Sequence, residues 1–364
     1  MSSVWKNRLS LTVFGQSHGK AIGMCLDGVP SGHKIDMEAL QLFLKRRAPG
    51  GKAWATPRKE GDSVEFVSGF VNEVTCGAPI TGLIYNTNTR SADYKDVLDI
   101  PRPGHADYTA QVKYNGHQDI SGGGHFSGRI TAGLCMAGGI AIQLLKEREI
   151  SVFAHIKEIG GVAEKSFSAE DFNVETIEKL QKSDFSVIDD SRGEAMKVAI
   201  AEAKADLDSV GGIVECAVLN LPAGLGEPMF DGMENRIARL LFAIPAIKGV
   251  EFGAGFEVAR MRGSQNNDPF VMVDGKVMTK SNNHGGILGG ITSGMPLICR
   301  MAVKPTPSIP REQESVSFST GENSVLAVKG RHDPCIVPRA VPCMEAVVAL
   351  CVYDALLEWE GIKS

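Results

Sequence analysis

The sequence lacks a Cys-x-x-Cys pair, although it contains eight cysteines. Zinc sites and dithiol redox motifs commonly use that spacing, so the cysteine pattern indicates neither a metal site nor a redox motif. It favours a cytoplasmic protein with reduced thiols. An excess of positive charge is missing too, since the formal net charge is -5. This charge argues against a nucleic-acid partner.

Long apolar runs are also scarce. Lys6 and Arg8 are followed by alternating residues rather than by an apolar block, so no signal peptide is expected. The longest apolar stretches look too short and too rich in glycine to cross a membrane, so we expect no membrane partner. The sequence shows no linker, low-complexity segment or clear repeat. We therefore predict a single domain over residues 1–364.

Glycine, in contrast, is abundant: the 364 residues include 41 glycines. They cluster between segments whose patterns predict helices and strands in one compact α and β unit. The predicted helices cover residues 36–47, 131–148, 194–207, 234–242 and 342–359. The predicted strands cover residues 64–71, 213–219, 251–258 and 296–303.

Arg47 ends the apolar face of the first predicted helix, which also carries Met37, Leu40 and Leu44. A charge in that position is costly unless it is paired. Arg47 therefore either extends past the helix end to water or faces inward at an anion site, and the helix pattern alone favours neither.

Short loops stiffened by glycine or proline carry most of the remaining chemistry. FGQSHG at residues 14–19 is either a catalytic loop or an ordinary polar turn. PRPGHAD at residues 101–107 and the glycine-rich residues 121–131, which open a helix, follow it. Similar loops occupy the segments 282–294, 304–308 and 330–346. Each loop has a plain structural explanation, but in a net-acidic chain their shared Arg, Lys, His and Ser residues predict a basic pocket for a small polyanion.

Taken together, these motifs resemble those of the chorismate synthase family. FGQSHG with Asp27–Pro30, RPGHAD at residues 102–107, GHFSGRIT at residues 124–131 and RHDPC at residues 331–335 with Glu345 are similar to that family's motifs. KGVEFG at residues 248–253, RGSQN at residues 262–266 and KPTPS at residues 304–308 match in the same order. The resemblance covers essentially the whole chain.

The resemblance implies a fold in which helices lie between antiparallel sheets, an α+β sandwich in one unit. It implies conversion of 5-enolpyruvylshikimate 3-phosphate into chorismate by anti-1,4-elimination of phosphate and a ring proton. Reduced FMN is required in the family without net redox change, and family members are homotetramers. An external flavin reductase is then the expected supplier of reduced FMN, with NADPH as an indirect electron source.

The resemblance also assigns roles residue by residue. It implies three catalytic groups, namely His18, His105 and Asp333. It implies substrate contacts from Arg47, Arg102, Ser127, Arg129 and Arg339, which favours the inward position of Arg47. It implies FMN contacts from His125, Phe126, Ser127, Pro245, Ala246, Gly289, Lys304, Pro305, Thr306, Pro307, Ser308 and Arg331.

Several positions depart from the family pattern. Gln16 stands where glutamate is usual, and His125, Phe126, Gly128 and Ile130 are atypical in the second motif. These changes bear on local FMN contacts and leave the three catalytic groups in place, so we expect retained activity. The alternatives are an NADPH-dependent flavin reductase, for which no dinucleotide fingerprint is present, and an inactive phospho-ligand-binding paralogue. Ala53 occupies a position where many relatives carry an arginine associated with NADPH, so we predict no flavin reduction by NADPH.

Overall fold

The computed structural model describes residues 3–50, 52, 54–55, 61–86, 99–328 and 332–363. The described α-helices, in chain order, are α1 Met37–Arg47, α2 Asp107–Lys113, α3 Thr131–Lys146, α4 Val174–Lys182, α5 Asp190–Ala205, α6 Met233–Leu241, α7 Gly263–Asn266 and α8 Val337–Lys363. Short 3-10 turns occur at Ser121–Phe126, Gly128–Ile130, Ala169–Asp171, Met229–Asp231 and Gly255–Arg260.

The described strands form two five-stranded antiparallel sheets and several small hairpins. In chain order they are β1 Val4–Lys6, β2 Ser10–Gly15, β3 Ala21–Asp27, β4 Glu65–Ser68, β5 Phe70–Val71, β6 Val74–Thr75, β7 Ile80–Tyr85, β8 Ser151–Ile159, β9 Val162–Ala163, β10 Gly212–Leu219, β11 Ile247–Phe252, β12 Phe270–Val273, β13 Lys276–Thr279, β14 Ile287–Leu288, β15 Ile291–Thr292, β16 Leu297–Val303, β17 Gln313–Val316 and β18 Asn323–Leu326. The first sheet has the order β1-β2-β3-β7-β4, and the second has the order β11-β16-β10-β8-β9.

Helices α3 and α8 fill the space between the two sheets. Helix α3 packs against β2 and β3 of the first sheet and β8 of the second, while α8 packs on α3, β8 and β10. Asp354 of α8 also accepts a hydrogen bond from the Leu9 backbone N–H at 2.7 Å, beside the β1–β2 turn. The expected α+β sandwich with helices between antiparallel sheets is therefore confirmed.

These two core helices correct one expectation from the sequence. Among the described residues, Gly128–Lys146 and Val337–Ile362 have the length and hydropathy of membrane-crossing helices, so the argument from length was wrong. Most of Gly128–Lys146 and all of the apolar part of Val337–Ile362 are buried inside the protein. Burial between the sheets identifies both as core helices.

Helix α1 follows closely from its sequence. The Asp36 side chain accepts the Ala39 backbone N–H at 2.9 Å, which caps the helix start. Leu40 and Leu44 are buried, and the helix ends just before Pro49. The other four predicted helices are also present, with boundaries that differ by a few residues.

Two of the predicted strands are shorter than expected. Residues 64–71 divide into β4 and β5 at Gly69, which has φ +99° and approaches the backbone of Ile80 closely. The segment 251–258 is a strand only as far as Phe252, because Gly253 and Gly255 adopt positive φ and a 3-10 turn follows. Glycine permits such φ values without steric cost, and this interrupts a pattern that otherwise resembles a strand.

Candidate functional site

A cavity of about 1440 Å³ opens where the glycine-rich loops converge. Its lining comes from the end of β2, the end of α1, the residues that precede α3, the α6–β11 connection, the segment after β16 and the start of α8. It is large enough for more than one small ligand, since single-ligand pockets commonly measure about 300–1,000 Å³.

Two arginines in this cavity share one carboxylate. Arg47, which is 1% exposed, places Nη2 2.7 Å from Asp62, and Arg129 pairs with the other oxygen of Asp62. Arg129 Nε also donates to Asn86 Oδ1 at 3.1 Å. The structure thus places Arg47 inward, as the family resemblance implied.

The charges in this cluster stabilise one another. Burial alone would lower the pKa of Arg47, but Asp62 and the nearby thiols Cys135 and Cys343 raise it above its usual value. Burial likewise opposes the ionised form of Asp62, yet Arg47 and Arg129 hold the pKa of its carboxyl group below the usual range. Arg47 Nε has no hydrogen-bond partner among the residues that the structure describes. A buried donor of this kind is suited to an incoming anion.

A second cluster comes from the PRPGHAD loop. Asp107, the first residue of α2, accepts from Arg102 Nε at 2.8 Å and from Arg102 Nη2 at 2.8 Å. His105 Nδ1 lies 2.7 Å from the same carboxylate, which leaves Nε2 on the side of Gly123. Although burial opposes it, hydrogen bonding from Arg102 and His105 lowers the pKa of Asp107. Asp107 therefore orients both the guanidinium and the imidazole.

The opening FGQSHG loop packs under the glycine-rich segment. Ser17 donates its backbone N–H to Gly124 O at 3.0 Å. The half-buried His18 ring lies so close to Gly122 that a Cβ there would be 2.0 Å from it. Gln16 and Gly122 line the cavity, whereas the His18 ring lies behind Gly122. Its catalytic role stays a prediction.

Three consecutive glycines shape the loop before α3. Gly122, Gly123 and Gly124 all have positive φ, and a Cβ on Gly124 would clash with the Asp119 carbonyl at 2.0 Å. Ser127 then accepts the Arg129 backbone N–H at 3.3 Å at the start of the next turn. This backbone presents Ser127 and Arg129 to the cavity.

The atypical residues of this loop also line the cavity. His125 Nδ1 lies 2.8 Å from Gly15 O, and its Nε2 lies 2.6 Å from Ser3 Oγ. Phe126 is 36% exposed and packs at a tilt on Tyr114, with ring centroids 6.2 Å apart. His125 is therefore tied to the first sheet, and Phe126 is the more open of the two.

The segment after β16 forms another wall. Lys304 contacts Gly104 O through Nζ, and its backbone N–H donates to Ala246 O at 3.0 Å. Burial, followed by the charge of Lys248, lowers the pKa of Lys304. The buried Thr306 Oγ1 has no hydrogen-bond partner in the described part of the chain.

Most of the other predicted residues meet in the same place. Ser308 accepts from Arg102 Nη1 at 3.1 Å, and Pro245, Ala246 and Pro307 line the cavity. Arg339 at the start of α8 pairs with Asp333 at 2.5 Å and donates through Nε to Arg47 O at 2.9 Å.

Two predicted FMN contacts, Pro305 and Gly289, do not line the cavity, and a third lies outside the described residues. Pro305 contacts Gly211 instead, and Gly289 lies in the turn between β14 and β15. Arg331 lies outside the described residues. The structure therefore does not bring Pro305 or Gly289 together with the other residues of this set.

Asp62, Asn86 and Cys343 were missed as site residues by reasoning from the sequence. Asp62 follows Arg47 by 15 residues in a segment without a clear pattern. The available signal was indirect: a buried arginine requires an acidic partner. Asp107 was noted in its loop, but without its role of orienting His105.

Comparisons with known proteins identify relatives of this chain. The chorismate synthase family model matches residues 9–357. The chain is 47% identical over 357 residues to a chorismate synthase of Dehalococcoides mccartyi, covering 98% of this chain and 97% of that protein. It is 44% identical over 355 residues to that of Korarchaeum cryptofilum, covering 97% of each.

A solved structure is similar as well. A crystal structure of chorismate synthase superposes with a TM-score of 0.75 at 30% identity, covering 97% of this chain and 93% of that one. The match of the family model to nearly the whole chain and the similarity to whole relatives lead to one conclusion: this chain belongs to the chorismate synthase family.

Proposed function

We propose that this protein converts 5-enolpyruvylshikimate 3-phosphate into chorismate with the help of reduced FMN. Membership of the family makes the chain a carbon–oxygen lyase that acts on a small molecule. The requirement for FMN and the roles of individual residues are part of the proposal.

One observation carries the proposal: the cavity gathers cationic side chains in a chain of net negative charge. Arg47, Arg102, Arg129, Arg339 and Lys304 all line it. The substrate carries a phosphate and two carboxylates, and guanidinium groups bind such anions through paired hydrogen bonds. Elimination also moves negative charge onto the departing phosphate, which fixed cations stabilise.

The residues present also fit FMN. The volume accommodates a second ligand beside the substrate, and the buried Thr306 hydroxyl near Lys304 is suited to a phosphate group. Phe126, Pro245 and Ala246 provide less polar surface for a ring system. Reduced FMN, when bound, would supply the electron that assists loss of the phosphate.

The chain's own residues are proposed to manage charge and protons around these ligands. Asp107 accepts the His105 Nδ1–H and so orients the ring with Nε2 toward the cavity, where Nε2 is proposed to take up and return a proton. Asp333 lines the cavity beside Arg339 and is proposed to accept a proton from the substrate side. His18 is proposed to donate to the leaving phosphate, which requires the Gly122 loop to let its ring reach the substrate.

An anaerobic assay with chemically reduced FMN tests the proposal. We expect the purified protein to form chorismate, FMN to be required but not consumed in stoichiometric amounts, and Arg129→Ala to reduce turnover strongly. Arg148→Ala is the matched control, because Arg148 pairs with Glu360 at the surface. Chorismate formation with oxidised FMN alone would contradict the proposal, as would its absence with reduced FMN.

The same assay separates the alternatives. A flavin reductase would bleach FMN with NADPH and make no chorismate, whereas an inactive paralogue would bind the substrate without turnover. Ala53 lies outside the described residues, and the neighbouring Lys52 pairs with Asp184 at 2.7 Å. We therefore propose that reduced FMN is supplied by an external reductase in the cytoplasm, and that NADPH alone leaves the flavin oxidised.

We also propose that the protein assembles as a homotetramer. Large apolar side chains between residues 229 and 288 are open to solvent, and Phe230, Phe256 and Phe270 are 84%, 73% and 67% exposed. Exposed apolar surface on this scale is typical of protein–protein interfaces. Light scattering after size-exclusion chromatography should give four chains per particle, and Phe230→Asp should lower that mass. A monomeric wild-type protein would contradict this proposal.

A further inference from the structure

Two cysteines that are 208 residues apart in sequence meet at the wall of the cavity. Cys135 on α3 and Cys343 on α8 place their sulfur atoms 3.7 Å apart, with the Cys135 thiol donating to Cys343. Both residues are almost fully buried. The Cys-x-x-Cys spacing expected of a redox pair is missing, so no local pattern in the sequence indicates this contact.

The close approach of the two helices explains why the cysteines meet. Three residues further along each helix, Gly138 faces Ala346 so closely that a Cβ on Gly138 would lie 2.3 Å from the Ala346 Cα. Both helices run in the same direction through this contact. Since glycine allows the backbones to touch one turn away, the cysteine Cβ atoms are held near each other.

The two thiols differ in their surroundings. Cys343 lines the cavity, whereas Cys135 lies behind it in the core. The hydrogen bond from Cys135 lowers the pKa of the Cys343 thiol against the effect of burial, and Arg47 and Arg339 lower it further. Burial and the contact with Cys343 raise the pKa of Cys135. A reactive cysteine beside cations, with a second thiol in reach, has the arrangement of an attacking and a resolving thiol.

We propose that Cys135 and Cys343 form a reversible dithiol–disulfide site in the wall of the substrate cavity, oxidised by hydrogen peroxide or a similar peroxide. The Cys343 thiolate attacks the peroxide, the O–O bond breaks, and a sulfenic acid and hydroxide form. The Cys135 thiol then attacks that sulfur and displaces the hydroxyl group, which leaves as water once protonated. In total the two thiols lose two electrons and two protons, and one peroxide becomes two waters.

Forming this bond requires a local movement. The sulfur atoms must approach from 3.7 Å to about 2.05 Å. As a thiol, Cys343 also donates to Arg339 O at 3.3 Å, and Arg339 in turn holds Arg47 O. Disulfide formation therefore removes the hydrogen bond from Cys343 to Arg339 O, next to the predicted substrate contacts Arg339 and Arg47. We expect turnover to fall on oxidation and to recover after reduction.

Peptide mapping of the intact, full-length protein tests the proposal without reference to activity. After graded exposure to hydrogen peroxide, mass spectrometry should find the Cys135 peptide linked to the Cys343 peptide, and dithiothreitol should release them. Cys343→Ser should abolish this link. In Cys135→Ser, Cys343 should proceed to sulfinic acid, because its resolving thiol is gone.

Cys216 and Cys299 provide a matched control within the same chain. They face each other directly across β10 and β16 and are fully buried, but neither lines the cavity. Burial raises the pKa of Cys216. We expect the Cys135–Cys343 link to form at least roughly tenfold faster than any Cys216–Cys299 link, because Cys343 faces the cavity beside Arg47 and Arg339 whereas both strand cysteines are sealed in the core.

Two outcomes overturn the proposal. In the first, the exposed Cys76 is fully oxidised while Cys135 and Cys343 remain thiols. In the second, Cys216 and Cys299 link as fast as Cys135 and Cys343. Both can be read from the wild-type protein, so a variant that fails to fold does not affect them. Loss of chorismate synthesis alone, without the mapped link, also counts against the disulfide while leaving the proposed function intact.

Discussion

The protein buries charge in two clusters that differ in how their charges are balanced. In the cavity, Arg47 and Arg129 share Asp62, so two guanidinium groups face one carboxylate. In the second sheet, His155 on β8 lies between Glu164 and Glu215, and Arg300 on β16 reaches Glu215 at 3.1 Å. The first cluster has surplus positive charge, and the second does not.

The second cluster also satisfies its own hydrogen bonds. Both ring nitrogens of His155 contact carboxylates, Glu164 accepts from the Ile188 and Asp189 backbone N–H groups, and Glu215 accepts from Phe167 N–H at 2.7 Å. In the cavity, Arg47 Nε keeps an unused donor within the described residues. The second cluster therefore uses its hydrogen bonds within the fold, whereas the cavity cluster keeps a donor that suits the proposed anionic ligand.

The largest effect should come from breaking the cluster of His155, Glu164, Glu215 and Arg300 in the second sheet. Glu215→Gln removes one charge from a group that is 0% exposed and leaves His155 and Arg300 incompletely compensated. We expect the free energy of unfolding to fall by about 3–5 kcal/mol, while kcat/KM of the folded protein is nearly unchanged. Denaturant unfolding monitored by circular dichroism measures the loss. Glu178→Gln is the control, because the Glu178–Lys182 pair is exposed. If both variants lower the free energy of unfolding by the same small amount, the cluster does not stabilise the fold in this way.

The next largest effect concerns catalysis. His105→Ala and His18→Ala should each lower kcat by roughly tenfold to a thousandfold, the range usual for lost proton-transfer groups, while FMN and substrate still bind. Steady-state kinetics and ligand titration measure the two quantities separately. His33→Ala serves as the control, because His33 pairs with Glu147 away from the cavity. Normal turnover in both variants would show that these histidines have a structural role in their loops and no catalytic role.

A smaller effect should follow from changing the cavity cluster of Arg47, Arg129 and Asp62 without removing its charge. Arg129→Lys keeps the cation but loses the fork that contacts Asp62 and Asn86 together. Loss of one charge-assisted hydrogen bond, worth about 1.5–3 kcal/mol, should lower kcat/KM by roughly ten- to a hundredfold, mainly through KM. Arg148→Lys should leave both constants unchanged. If KM is unaffected in Arg129→Lys, Arg129 is not a substrate contact.

The smallest effect is a dependence of stability on pH. Burial alone would lower the pKa of His155, but Glu164 and Glu215 raise it above its usual value. Its contribution is therefore fully present below the unfolded-state pKa of about 6.5 and is lost as pH rises through the folded-state pKa. His155→Gln should flatten the alkaline side of the stability curve, as followed by thermal unfolding at a series of pH values. An unchanged slope would show that another group sets it.

The sequence predicted the helices and the family more readily than the contacts between distant residues. Asp36 and the apolar spacing of Leu40 and Leu44 define α1 locally, and the structure confirms that helix. The direction of Arg47 was undecided from that pattern, because a solvent-directed and an inward arginine produce the same spacing. Its partner Asp62 depends on how a separate segment folds back over the helix end.

Other features could not be read from local patterns for the same reason. Cys135 and Cys343 are neighbours only because Gly138 lets two distant helices touch. The segment 251–258 resembled a strand because its apolar content does not reveal the positive φ of Gly253 and Gly255. Most of the motif residues line one cavity, whereas His18, Pro305 and Gly289 do not, so a motif match does not place every side chain in its wall.

Asp62 has a consequence for any anion that binds beside it. Because its carboxylate already serves as a resident counterion for Arg47 and Arg129, an incoming phosphate or carboxylate must share or displace an anion that is part of the protein. Binding is then an exchange, and its free energy is the difference between two strong pairings rather than the whole of one. We expect such an exchange to keep the two arginines ordered in the absence of a ligand and to return them to Asp62 when a bound anion leaves.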